Sequence, residues 1–168
     1  MNAIERVAKF MFEHNLTLVT AESCTAGLIA AKLADVPGAG QLLDCAFVVY
    51  SVEAKRRCLG VPQSTLSAHN LTSEAVALDM ALGAARKSQA NVAVANTGVT
   101  DAVDDRIPSG TQCYAWVFKR GRADASPMVY TATRQFSGDR NGIREASAEF
   151  ALLGTVEHFL EHEFAHRG

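Results

Sequence analysis

The sequence has no uninterrupted apolar run near the ~18 residues that a membrane-spanning helix needs, and no basic stretch leading into an apolar one at its start. Both absences point to a cytoplasmic chain with no membrane partner. Neither sign of charge dominates: the formal net charge is -2, which leaves no electrostatic footprint for nucleic acid. The four cysteines, Cys24, Cys45, Cys58 and Cys113, form no C-x-x-C pair and no paired spacing, so reduced thiols are expected rather than a disulfide framework. Internal repeats, low-complexity tracts and linkers are missing too. What is present is 168 residues, 48% hydrophobic and 20% charged. That suits a single domain over 1–168 burying about 70% of its unfolded surface.

Asn2 and Glu5 fit a capping box, and Ile4, Val7, Ala8 and Met11 recur at helical spacing, predicting a first helix that ends near His14. Leu16–Ala21 is β-rich and too short for a helix, so it reads as a buried strand. Ser23 is then the expected N-cap of a helix over Cys24–Asp35, stopped by Pro37 and Gly38. A second buried strand is expected over Ala46–Tyr50, and a short helix over Val52–Leu59. Ser64–Asn70 reads as a turn or short helix. Ser73 caps an Ala-rich helix running to about Lys87, and Val92–Thr97 is a third apolar strand. After a polar loop, Gly98–Gly110, strands over Thr111–Lys119 and Met128–Phe136 flank a turn, Arg120–Pro127, and read as an antiparallel hairpin. Gly138 and Asp139 open the last helix, where Ile143, Ala146, Phe150, Leu153, Leu160 and Phe164 form one apolar stripe. The order predicts an α/β fold, a three-layer α/β/α sandwich around a mostly parallel mixed sheet.

Ligands of open α/β sheets bind at the carboxyl ends of the strands. Four segments fall there: Glu22–Thr25, Tyr50–Lys55, Asn96–Gly98 and the loop beyond. Ser23 at a helix start faces backbone N–H groups, and Lys55 in a first helical turn feels a field that disfavours its ammonium form. Together they suggest a serine nucleophile with a lysine base. Each also has a plain structural reading: Ser23 as a cap, Lys55 as a solvated side chain, Tyr50 as a packing residue at a strand end. Cys24 is either a rival nucleophile or, as the better reading, a small hydrophobe facing the core. Arg140 and Arg144 share a helix face at i, i+4 spacing, suited to a phosphate or to surface pairing with Asp139 or Glu145.

Several blocks in order carry a resemblance: Thr20–Ala30, Asp35–Gly38, Tyr50–Lys55, Leu59–Val61, Ser73–Ala77, Ala95–Val99, and Gly138–Arg140 with Arg144. Over nearly its whole length the chain resembles the CinA C-terminal domain family, whose best-known activity is deamidation of nicotinamide mononucleotide. The resemblance implies Ser23, Tyr50 and Lys55 as catalytic positions. It also implies Glu22, Cys24, Thr25, Thr97, Gly98, Arg140 and Arg144 around the substrate, a small nucleotide. Neither a metal nor an organic cofactor is implied; self-association is. In the implied chemistry Ser23 attacks the carboxamide while Lys55 takes its proton, directly or through Tyr50, and backbone N–H groups after Ser23 hold the oxyanion.

The chain departs from the family in two places. Beyond Val99 the usual Gly- and Pro-rich loop is replaced by Thr100–Ile107 with Asp101, Asp104 and Asp105, and Ala26 stands where a second glycine is common. Carboxylates there would repel a phosphate and attract a pyridinium ring. A catalytically weakened paralogue that binds a pyridine nucleotide is therefore the alternative function. His158 and Glu161-His162 match an H-x-x-E-H zinc pattern, extended by His166, but a solvated terminal helix face is the better reading.

Overall fold

Along the central strand, β3 (Val92–Gly98), alternate residues feed two separate cores: Val92 and Val94 join one hydrophobic cluster, Ala93 and Ala95 the other. The strand is therefore covered on both faces. The computed structural model, which describes residues 1–121 and 126–167 (side chains only to 163), builds outward from it. β1 (Leu18–Glu22) pairs parallel with β3 on one side and with β2 (Leu43–Val48) on the other. β4 (Thr111–Phe118) runs antiparallel to β3, and β5 (Met128–Gln135) antiparallel to β4, giving the order β2-β1-β3-β4-β5. Only β4 is reversed, as a mostly parallel mixed sheet requires. The hairpin is as expected, although 122–125 of its turn lie outside the described residues.

Helices α1 (Ala3–Glu13), α2 (Leu28–Ala34) and α6 (Arg140–Arg167) cover one face. α3 (Val52–Leu59), α4 (Gln63–Ala68) and α5 (Glu74–Lys87) lie on the other. On the α5 side the interface is built from alanines, Ala77, Ala81 and Ala84 against Ala93, Ala95 and Ala115. Gly83 lets α5 approach α3, since a Cβ there would sit 2.1 Å from the Leu59 carbonyl oxygen. The capping box of α1 forms in both directions, and Ser73 caps α5 through the Val76 N–H. No helix among the described residues is long and apolar enough to cross a membrane.

Four expectations need correction. β2 is not a buried strand over Ala46–Tyr50: it spans Leu43–Val48 at the sheet edge, with Asp44, Ala46 and Val48 facing outward. α2 does not begin at Cys24, and Ser23 is not its cap. Residues 23–27 form a turn, and the helix starts after Gly27 at φ 98°. The donors at its start go to the Glu22 carboxylate, which accepts from Gly27 N, Ile29 N and Ala30 N as well as the Thr20 and Thr25 hydroxyls. On α6 the buried face is Ile143, Ser147, Ala148, Ala151, Leu152 and Thr155; of the expected stripe Ala146 and Phe150 are half-buried, Leu153 and Leu160 are exposed, and the Phe164 side chain lies outside the described residues. Tyr114 and Trp116 fill that interface from the sheet, so the helix must present small residues; a Cβ at Gly154 would meet Trp116 at 2.3 Å. Finally, His158 is no solvated residue. Its side chain is 14% exposed and stacks on Tyr130 with centroids 4.7 Å apart and packs on Trp116 at 4.5 Å. Among the described residues no group of three His, Cys, Asp or Glu is arranged to hold a metal ion.

Candidate active site

At the carboxyl ends of β1 and β3 lies a cavity of about 490 Å³, lined among others by Ser23, Cys24, Tyr50, Lys55, Thr97 and Gly98. Six of the ten residues singled out from the sequence thus meet there. Ser23 follows β1 directly, and its N–H donates to the Asn96 carbonyl at 3.0 Å, which fixes the chain as it leaves the strand. Lys55 arrives from α3, whose start is capped by Ser51 accepting from Ala54 N. Its side chain is 2% exposed and places Nζ 3.0 Å from Ser23 Oγ.

Nζ also lies 3.1 Å from the Val49 carbonyl and 3.2 Å from the Tyr50 carbonyl. Carbonyl oxygens only accept, so a neutral amine directs its two N–H bonds to them and turns its lone pair to the Ser23 hydroxyl proton. Burial pulls the Lys55 pKa below its ordinary value. Desolvation favours the neutral amine, the form that can accept a proton. The pair can therefore pass a proton from serine to lysine without a carboxylate.

The phenol of Tyr50 is placed differently from expectation. The side chain is 63% exposed at the cavity mouth, and its hydroxyl bonds to no described residue, so it relays no proton between Ser23 and Lys55 in this arrangement. The Tyr50 carbonyl, instead, holds the amine.

Cys24 does not face the core from a helix. It sits in the turn, lines the cavity and accepts from Gln112 Nε2 at 3.4 Å. Thr25 and Glu22 lie behind the cavity: Thr25 N donates to Asn96 Oδ1 at 3.1 Å, and its hydroxyl to Glu22. Glu22 has both oxygens committed to the start of α2 and none facing the cavity. Thr97 donates to the Leu71 carbonyl at 2.9 Å, tying β3 to the segment before α5.

Arg140 and Arg144 stand outside the cavity lining and pair with neither Asp139 nor Glu145. Arg140 Nη1 donates to Thr100 Oγ1 at 2.8 Å, and Arg144 grips the turn that bears Ser23 through the Cys24 and Thr25 carbonyls at 2.9 and 3.2 Å. Glu145 is paired with Lys32, and Asp139 caps α6 through Gly142 N. Of the loop carboxylates only Asp104 lines the cavity, beside Val103 and Ile107. Its Oδ1 accepts from Arg106 N and Ile107 N at 2.8 and 3.3 Å.

Sequence reasoning missed Asn96 and Gln112 as side chains of consequence. The signal was there: each is an amide within a buried strand, beside Ala95 and Cys113, where it needs partners. Gly98 is explained by Gln112 as well, because a Cβ would lie 2.4 Å from its Cδ.

The CinA C-terminal domain family matches residues 2–159. The nicotinamide-nucleotide amidohydrolase PncC of Escherichia coli K12 is 34% identical over 163 residues, covering 96% of this chain and 95% of that protein. A competence-damage inducible protein of Symbiobacterium thermophilum is 43% identical over 161 residues; the match takes in 93% of this chain but only 38% of that longer protein. The crystal structure of a competence/damage inducible protein from Agrobacterium tumefaciens superposes with a TM-score of 0.81 at 33% identity, covering 94% of this chain and 96% of that one. The chain belongs to the CinA C-terminal domain family.

Proposed function

We propose that this chain is an amidohydrolase that converts nicotinamide mononucleotide and water to nicotinate mononucleotide and ammonia. The observation that carries the reading is the buried contact of Lys55 Nζ with Ser23 Oγ at 3.0 Å inside the cavity. The name of the PncC relative, matched over nearly its full length, supplies the substrate class.

Ser23 Oγ attacks the carboxamide carbon as its proton passes to Lys55. The developing oxyanion is met by the Cys24 N–H. Lys55 then returns the proton to the departing nitrogen, the C–N bond breaks, and ammonia leaves an acyl-serine. Water attacks that ester with Lys55 as base, the Ser23–carbon bond breaks, and the carboxylate departs. Every step is acid–base and nucleophilic chemistry, with no change of oxidation state. Tyr50 stands at the mouth and lends its carbonyl to the amine. Arg140 and Arg144 serve the substrate indirectly, holding Thr100 and the turn that bears Ser23.

The test is ammonia release from nicotinamide mononucleotide by the unmutated chain, with Ser23→Ala beside it. Turnover should vanish in Ser23→Ala while binding persists. Stability should move by only about 0.5–1.5 kcal/mol, since the hydroxyl caps no helix and gives up one hydrogen bond. A chain that binds the mononucleotide without releasing ammonia would be the binding paralogue instead.

A further inference from the structure

Behind the Ser23 turn lies a polar network that the hydrolytic steps above do not use. Asn96 on β3, Gln112 and Tyr114 on β4, and Ser147 on α6 all have 0% exposure. Backbone groups at its ends fix both amide orientations. Asn96 Oδ1 must be the acceptor for Thr25 N, and Gln112 Nε2 the donor to the Val99 carbonyl at 3.0 Å. Asn96 Nδ2 then donates to Gln112 Oε1 at 2.9 Å and to Ser147 Oγ at 3.3 Å. Ser147 donates to the same Gln112 oxygen at 3.1 Å, so its 2.6 Å contact with Tyr114 must use the tyrosine proton. Burial holds the Tyr114 phenol far above its ordinary pKa, in keeping with a neutral donor. Each member is satisfied, and the network has one direction.

Its outlet is the nucleophile turn. Of four successive N–H groups, Ser23 N goes to the Asn96 carbonyl, Thr25 N to the Asn96 side chain and Ala26 N to the Ser23 carbonyl. Cys24 N bonds to no described residue. Gln112 Nε2 holds the Cys24 sulfur, and Arg144 holds the carbonyls of Cys24 and Thr25. The peptide between Ser23 and Cys24 is thus gripped on each side, with one N–H left over beside the Lys55–Ser23 pair.

We infer that Asn96 and Gln112 are positioning residues that aim the Cys24 amide as the oxyanion donor of Ser23. The inference rests on the amidohydrolase reading and adds to it the residues that set its tetrahedral step. Deleting an oxyanion donor outright costs roughly 10²–10³ in turnover at comparable sites, so loosening the aim should cost less.

Three variants separate aiming from mere stability. Asn96→Asp keeps the acceptor for Thr25 N but turns the donor edge toward Gln112 and Ser147 into an acceptor. Gln112→Met keeps length and loses every polar contact. Ser147→Ala works two bonds from the turn and is the mildest, so it carries the test if the others do not fold. Asn96→Asp and Gln112→Met should lower kcat about ten- to hundredfold and Ser147→Ala about three- to tenfold, with KM shifting less than about threefold. Pyridine-3-boronic acid forms a tetrahedral adduct, the serine oxygen adding to boron as Lys55 takes its proton. Its affinity should fall in step with kcat, while mononucleotide binding in the Ser23→Ala background stays level. Folded variants with unchanged kcat and boronate affinity overturn the inference, as does equal loss of boronate and mononucleotide binding. An unmutated chain that neither releases ammonia nor binds the boronate overturns the amidohydrolase reading, and this inference with it.

Discussion

A lysine buried with no carboxylate beside it among the described residues is an uncomfortable cation, and Lys55 is one. Its folded-state pKa lies below the ordinary 10.5 because burial disfavours the ammonium. Turnover that needs the neutral amine should therefore rise with pH through that lowered value. Stability follows the same titration. Between the lowered and the ordinary pKa the unfolded chain binds more protons, so stability rises with pH there, and below that window the full cost of the buried ammonium remains. Lys55→Met should abolish deamidation and lose the pH-dependent limb, its stability relative to the unmutated chain declining as pH climbs through the window. Rate profiles and urea midpoints over the same pH series check both. Ala26 offers a second test. It sits at φ 48°, next to Gly27 at φ 98°, in a left-handed region that costs a residue with a Cβ about 1–2 kcal/mol. Ala26→Gly should raise stability by about 0.5–1 kcal/mol after its entropy cost, seen as a higher urea midpoint. The sequence marks this position as a departure from its family, but only the backbone angle gives that departure an energy.

Among the elements, α2 has the least conventional start. A carboxylate at the end of the preceding strand does the work of a cap, with five donors converging on Glu22. Glu22→Gln turns one acceptor oxygen into a donor facing other donors. It should cost about 1–3 kcal/mol and lower deamidation along with the melting temperature, because the Ser23 turn is anchored at the same residue. Calorimetry paired with an ammonia assay checks this. Such a cap is hard to read in a sequence because its partners reach across a turn. The α1 capping box and the Ser73 cap of α5 were legible because their partners lie three residues away. Distance also explains the silence around Asn96, whose contacts with Gln112 and Ser147 join three segments that only the fold brings together. The edge position of β2 was written in its alternation, but apolar Ala46 and Val48 on the outer side disguised it.

Over the whole molecule, a net charge of -2 is too small to steer a substrate, so discrimination falls to what lines the cavity. The layered α/β arrangement and the meeting of Ser23 with Lys55 at the strand ends were legible early, since periodicity and strand-end placement are global properties. The direction in which Arg140 and Arg144 point was not, because i, i+4 spacing gives a shared helix face but no partner. With both arginines outside the lining and Asp104 within it, ring charge is the substrate property this lining can read. Oxidised and reduced nicotinamide mononucleotide carry the same phosphate and differ in ring charge, so the ratio of their affinities isolates that term. In the Ser23→Ala background Asp104→Asn should reduce the preference for the oxidised form about two- to fivefold, the modest size expected of a solvent-screened carboxylate. Titration calorimetry with both forms checks it; an unchanged ratio would assign the loop no part in selection. The sheet order carries one more consequence. Ser23 rides on β1, flanked by strands on both sides, whereas the carbonyls that hold Lys55 follow β2, which has one neighbour. Local opening begins where partners are fewest. Fraying of β2 with α3 would part amine from hydroxyl while β1, β3 and β4 stayed packed, so catalytic competence would melt out of this protein before its fold does.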